Sequence, residues 1–102
     1  MRVKITVLKT EFYPELADTF LTEGRAAGPC PDLRTRDVFI YEGGAVMPKG
    51  FCPYAWTDIY REVSVAFAAG CNPNPWYKKP GIAVTCCQDG VRPVIFSLEP
   101  VE

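Results

Sequence analysis

Polar and apolar residues alternate at the start of the chain. In RVKITVLK, Val3, Ile5 and Val7 interleave with Arg2, Lys4 and Thr6, a period of two that predicts a strand buried on one face. The period changes in YPELADTFLTEG. Pro14 suits a first helical position, Leu16, Ala17, Phe20 and Leu21 share a face, and Gly24 is a stop signal. GRAAGPCPDLRTR reads as irregular, because Pro29 and Pro31 flank Cys30 and supply no backbone donor. DVFIYEGG reads as a second strand closing in a Gly-Gly turn. The strongest helical pattern is FCPYAWTDIYREVSVAFAAG, where Trp56, Ile59, Tyr60, Val63 and Phe67 recur at three- and four-residue steps. Pro53 fits the first helical position, which leaves Cys52 at the N-cap, and Gly70 lies past the end. CNPNPWYKKPG is a proline-rich loop, and IAVTCCQ and VRPVIFSLE are two strands around Asp89-Gly90. The order β-α-β-α-β-β predicts an α+β fold, a small, mainly antiparallel sheet of about four strands packed against two helices. No repeat, low-complexity segment or linker divides residues 1–102, which are expected to form one domain.

Composition narrows the function classes. The chain has 102 residues, 48% apolar and 13% aromatic, enough for a core without metal or disulfide staples. A formal charge of −1 provides no basic field for nucleic acid or anionic lipid. The start lacks the apolar stretch of a signal peptide, and no run approaches the roughly 18 apolar residues of a membrane helix. A cytoplasmic protein is expected, with no nucleic-acid or membrane partner. Histidine is absent. This removes Ser-His and Cys-His nucleophile pairs, histidine-ligated zinc and imidazole bases.

Candidate chemistry therefore centres on five cysteines, at positions 30, 52, 71, 86 and 87. Their odd number and the missing export signal argue against a disulfide framework. A two-residue turn at Asp89-Gly90 would place Cys87 opposite Arg92, where a guanidinium favours the thiolate. It would also pair Cys86 with Pro93 in the ladder, and Pro93 has no N–H to give. A wider loop is preferred, and it would let Cys86 approach the same site as Cys87. Cys52, at a helix N-cap, gains from the unsatisfied N–H groups there. Cys30 is held between prolines and is free to face a partner. Cys71, at the far end of the long helix, lies about 27 Å from Cys52 at 1.5 Å per residue and is expected to stay outside any cluster.

The plain alternative for each thiol is packing, since free cysteine behaves as a small hydrophobe. No CxxC pair is present, so nothing defines a zinc knuckle. Asp58, on the long helix, reads first as a solvated or capping carboxylate, and Asp89 as a turn residue. Trp76, Tyr77, Lys78 and Lys79 read as a loop anchoring its aromatics on the core rather than a single-strand binder. GGAVMPKG lacks the Lys-Ser/Thr of a phosphate loop.

The segments GPCP, MPKGFCPYAWTDIY and CCQDGVRPVIF occur in that order across essentially the whole chain. In these segments the sequence resembles a family of small uncharacterised proteins found mainly in anaerobic bacteria and archaea. The resemblance implies one compact domain in a reducing cytoplasm and draws attention to Cys30, Cys52, Cys86, Cys87, Asp89, Gly90 and Arg92. It implies no activity, so enzyme and binding domain both stay open.

The leading expectation is a thiolate-rich site in which Cys30, Cys52, Cys86 and Cys87 bind an iron–sulfur cluster, Zn²⁺ or another soft metal such as Cu(I), beside Arg92 and Asp89. The runner-up is a metal-free domain for a small ligand or a protein partner. There Arg92 and the Cys52 helix start would hold an anion, and the cysteines would be packing or redox-sensitive. A third reading is dithiol redox chemistry at Cys86 and Cys87, whose bond would close a strained ring. A homo-oligomer is compatible with all three.

Overall fold

The computed structural model describes residues 2–69 and 76–102. Strands β1 (Arg2–Thr10), β2 (Val38–Tyr41), β3 (Ala83–Cys86) and β4 (Val94–Val101) form an antiparallel sheet in the order β2-β1-β4-β3. Helices α1 (Pro14–Phe20) and α2 (Pro53–Ala69) complete the α+β fold in the expected order, with a short 3₁₀ turn at Gly24–Ala27. None of the described helices is long and apolar enough to cross a membrane.

The alternation in β1 sets the core. Val3, Ile5 and Val7 are fully buried beside Val94, Phe96 and Leu98 of β4, each such side chain contributing roughly 1.5–3 kcal/mol of transfer free energy. A bulge between Val7 and Lys9 breaks the register and turns Leu8 out to solvent.

Helix α2 lies on this face through Ala55, Ile59, Val63 and Ala66. The seam is rotated by about one residue from the expected face. Ile59 and Val63 are buried as expected, but Trp56, Tyr60 and Phe67 are half-buried along its flank. The physical reason is size: alanines at the closest approach let the helix settle on the sheet, and the large rings fit only beside it. Those rings pack around Tyr41, with centroids 5.4 Å away for Trp56 and Phe67 and 6.5 Å for Tyr60. Gly43, at φ +114°, lies under Phe67; a Cβ there would come within 2.9 Å of the ring.

Helix α1 departs further from its pattern. Only Ala17 is buried, Phe20 is 74% exposed, and the helix ends before Leu21, which is extended. Its shared apolar face is not used against the sheet. Gly24 does not cap α1 directly but opens the 3₁₀ turn at φ +59°.

Sheet edge β3 is closed by a side chain. The Tyr77 hydroxyl accepts from the Val84 N–H at 3.2 Å and lies 3.5 Å from its carbonyl, occupying backbone groups that an edge strand would otherwise expose. The loop's aromatics are thus not anchored on the core as expected: Tyr77 is held by its hydroxyl at the sheet edge, and Trp76 is 75% exposed.

Candidate functional site

The β3–β4 connection takes the wider form. Cys86 pairs with Ile95, and the Cys87 N–H donates to the Val94 carbonyl at 3.1 Å, so residues 88–93 form the loop. Pro93 falls outside the β3–β4 ladder, where its missing donor costs nothing. Asp89 organises the turn: its Oδ1 accepts from the N–H groups of Val91 and Arg92, both at 2.9 Å. Its Oδ2 accepts from Arg92 Nε at 3.3 Å. Burial alone pushes the Asp89 carboxyl up, but the Arg92 and Val91 N–H groups and the Arg92 charge together hold it below the ordinary carboxylate value.

The same loop is tied to its surroundings on three sides. The Glu11 N–H donates to the Pro93 carbonyl at 2.8 Å and the Tyr13 N–H to the Val91 carbonyl at 3.0 Å. The Gln88 N–H donates to Asp58 Oδ2 on α2 at 2.9 Å. The Val94 N–H also approaches the Cys87 sulfur at 3.3 Å, a contact that orients the thiol.

Helix α2 supplies the second thiol. The Cys52 carbonyl accepts from the Trp56 N–H at 2.9 Å, as an N-cap residue should. Phe51, just before the cap, is buried and packs on Trp56 with ring centroids 6.0 Å apart. This N′-to-N4 contact is a hydrophobic staple that fixes the entry angle of the helix and hence the position of Cys52.

The third thiol comes from the irregular segment before β2. Cys30 sits between Pro29 and Pro31, and Leu33, 3% exposed, inserts into the core just after it.

These three segments meet on one cavity of about 370 Å³, a size within the range of small-molecule sites. Cys30, Cys52 and Cys87 line it together with Asp32, Asp89 and Arg92. Leu33, Ala55 and Val94 supply apolar wall, and Tyr54, 84% exposed, stands at the rim. All three thiols are half-buried and free.

Cys86 is not among the lining residues. It is exposed, and it points away from α2 because its neighbour Thr85 points toward it, 3.4 Å from Glu62. Widening the loop therefore does not bring Cys86 to Cys87; strand alternation sends the adjacent thiols to opposite faces. Cys71 lies outside the described residues. Arg92 sits beside Asp89 as well as on the cavity wall, so the cross-turn ion pair and the cavity role coexist.

Among the described residues, no three Cys, Asp or Glu side chains converge closely enough to hold one metal ion. The thiols are spread around a volume instead of gathered at a point. Sequence reasoning underrated Asp58, because its partner is a backbone N–H of a remote loop and leaves no pattern near Asp58 itself. No protein-family model matches the chain, and neither the curated proteins nor the solved structures provide a match.

Proposed function

We propose that this chain is a thiolate-site protein whose cavity takes an iron–sulfur cluster through Cys30, Cys52 and Cys87. One observation carries this reading: three thiols from three separate segments line a single cavity, yet among the described residues no trio converges on a point. A tetrahedral zinc site needs its sulfurs about 2.3 Å from one ion. A cluster distributes its thiolates over several irons, so ligands spaced around a volume suit it better. Arg92 supports the reading by charge, since a thiolate-ligated cluster is anionic and a guanidinium beside it offsets that charge. Asp89 holds Arg92 on the wall. Cys86 has no part in this site.

A second reading follows from the volume and the apolar wall. A metal-free pocket of this size would take a small organic ligand, with Arg92 holding an anionic group. Anaerobic purification, followed by iron, acid-labile sulfide and zinc analysis with a visible spectrum, separates the two. Stoichiometric iron and sulfide that are lost in Cys30→Ser, Cys52→Ser and Cys87→Ser but kept in Cys86→Ser support the cluster. Protein without metal, or metal retained in all three variants, overturns it.

A further inference from the structure

Cys52 rides on α2 and Cys87 on the sheet, so something must set the distance between them. Asp58 is placed to do this. It stands on the same helix as Cys52, and its Oδ2 accepts at 2.9 Å from the N–H of Gln88, the residue bonded directly to Cys87. The next carboxylate along the helix, Glu62, reaches Thr85 of the same hairpin at 3.4 Å, a longer and weaker contact. The other ties on the loop run to Glu11 and Tyr13, between β1 and α1, or lie within the turn.

We propose that Asp58 is a positioning residue that sets the spacing of the Cys52 and Cys87 thiols across the cavity. The inference rests on the thiolate-site reading for its purpose, but its geometry stands without a metal. A helix is stiff over two turns, so a carboxylate at position 58 is a fixed point relative to position 52. Its bond to a backbone N–H is charge-assisted, which makes it stronger than a neutral one. Because it grips the backbone rather than a side chain, the nature of residue 88 matters little, and the position of Cys87 follows from the position of Asp58.

The test uses the full chain carrying Cys30→Ser, Cys71→Ser and Cys86→Ser, leaving only the two thiols in question. The rate at which dibromobimane bridges Cys52 and Cys87 reports their spacing and needs no metal. Asp58→Ala should slow bridging about three- to tenfold, the equivalent of one solvent-exposed hydrogen bond. Asp58→Asn keeps an acceptor oxygen and should restore most of the rate. Asp58→Glu, which keeps the charge but lengthens the arm, should be slow. In a second background that retains Cys30 and Cys52, bridging between those two should be unaffected by Asp58→Ala. An unchanged rate in Asp58→Ala, no rescue by Asn, or equal slowing of the Cys30–Cys52 pair each overturns the proposal. If bridging behaves as expected while the wild type binds no iron, the positioning role stands and only the cluster reading fails.

Discussion

The loop of residues 88–93 and the segment of residues 29–33 bring cysteines to the same cavity by opposite means. The first is a network: the Asp89 carboxylate, the Asp58 carboxylate and the backbone of residues 11–13 each hold a different atom of it. The second has no hydrogen bond among the described residues. It is held by two prolines, which fix φ and remove donors, and by one buried side chain, Leu33. A network of hydrogen bonds fails gradually and responds to pH. A segment held by one apolar anchor depends on that anchor and is indifferent to pH. The two walls of the cavity should therefore be separable by experiment.

The largest effect is expected at the anchor. Leu33→Ala should lower stability by about 2–5 kcal/mol, the range for truncating a buried leucine, and should free Cys30 for faster alkylation. Denaturant unfolding checks the first and thiol labelling the second. A loss well under about 1 kcal/mol would mean that the segment is held some other way.

On the other wall, Asp89→Ala removes the acceptor of two backbone N–H groups and of Arg92 Nε. It should cost about 1–2 kcal/mol, since those donors are only partly buried. Asp89→Asn, which keeps one acceptor oxygen, should lose less. Equal losses in both variants would show that the Arg92 ion pair, and not the turn, is what stabilises the loop.

Acid should act on one wall alone. The folded-state value of Asp89 lies below the ordinary carboxylate value of 3.8. Its contribution is therefore complete above that value and is lost as pH falls below it, through the folded-state value. Amide exchange at Val91 and Arg92 should show weakening protection over that window, once corrected for the intrinsic pH dependence of exchange. Labelling of Cys30 by a pH-tolerant reagent should show no matching step. A step shared by both walls would mean that the cavity opens as a unit.

The smallest effect concerns the prolines. Pro31→Ala should cost about 0.4–1 kcal/mol, chiefly by enlarging the unfolded ensemble. No change in Asp89 protection should accompany it. A larger loss would assign Pro31 a packing role beyond its fixed φ.

Much of the fold is legible in local pattern. The two-residue period of Val3, Ile5 and Val7 and the Pro53 start of α2 correspond to the observed elements because each depends on neighbours along the chain. The missing donor of Pro93 pointed to the wider β3–β4 loop for the same reason. The candidate site is legible in part: Cys30, Cys52, Cys87, Asp89 and Arg92 were identifiable as residues at element ends, and they line one cavity. What the local pattern misjudged is how elements meet. Phe20 looks like a core residue on an amphipathic turn, but among the described residues nothing packs over it to bury it. The face of α2 was displaced by about one residue, because which side chains lie deepest depends on how closely the sheet lets the helix approach.

Cys86 and Asp58 mark the boundary most clearly. Composition and spacing established a histidine-free, cysteine-rich chain with thiols at three segment ends, because residue identity and period are properties of the chain itself. Only the tertiary structure decided that Cys86 turns to solvent while Cys87 turns to the cavity, since the facing of a strand is set by the helix that covers it. It alone decided that Asp58 holds a loop thirty positions away, because a hydrogen bond to a backbone N–H carries no trace in the identity of its donor.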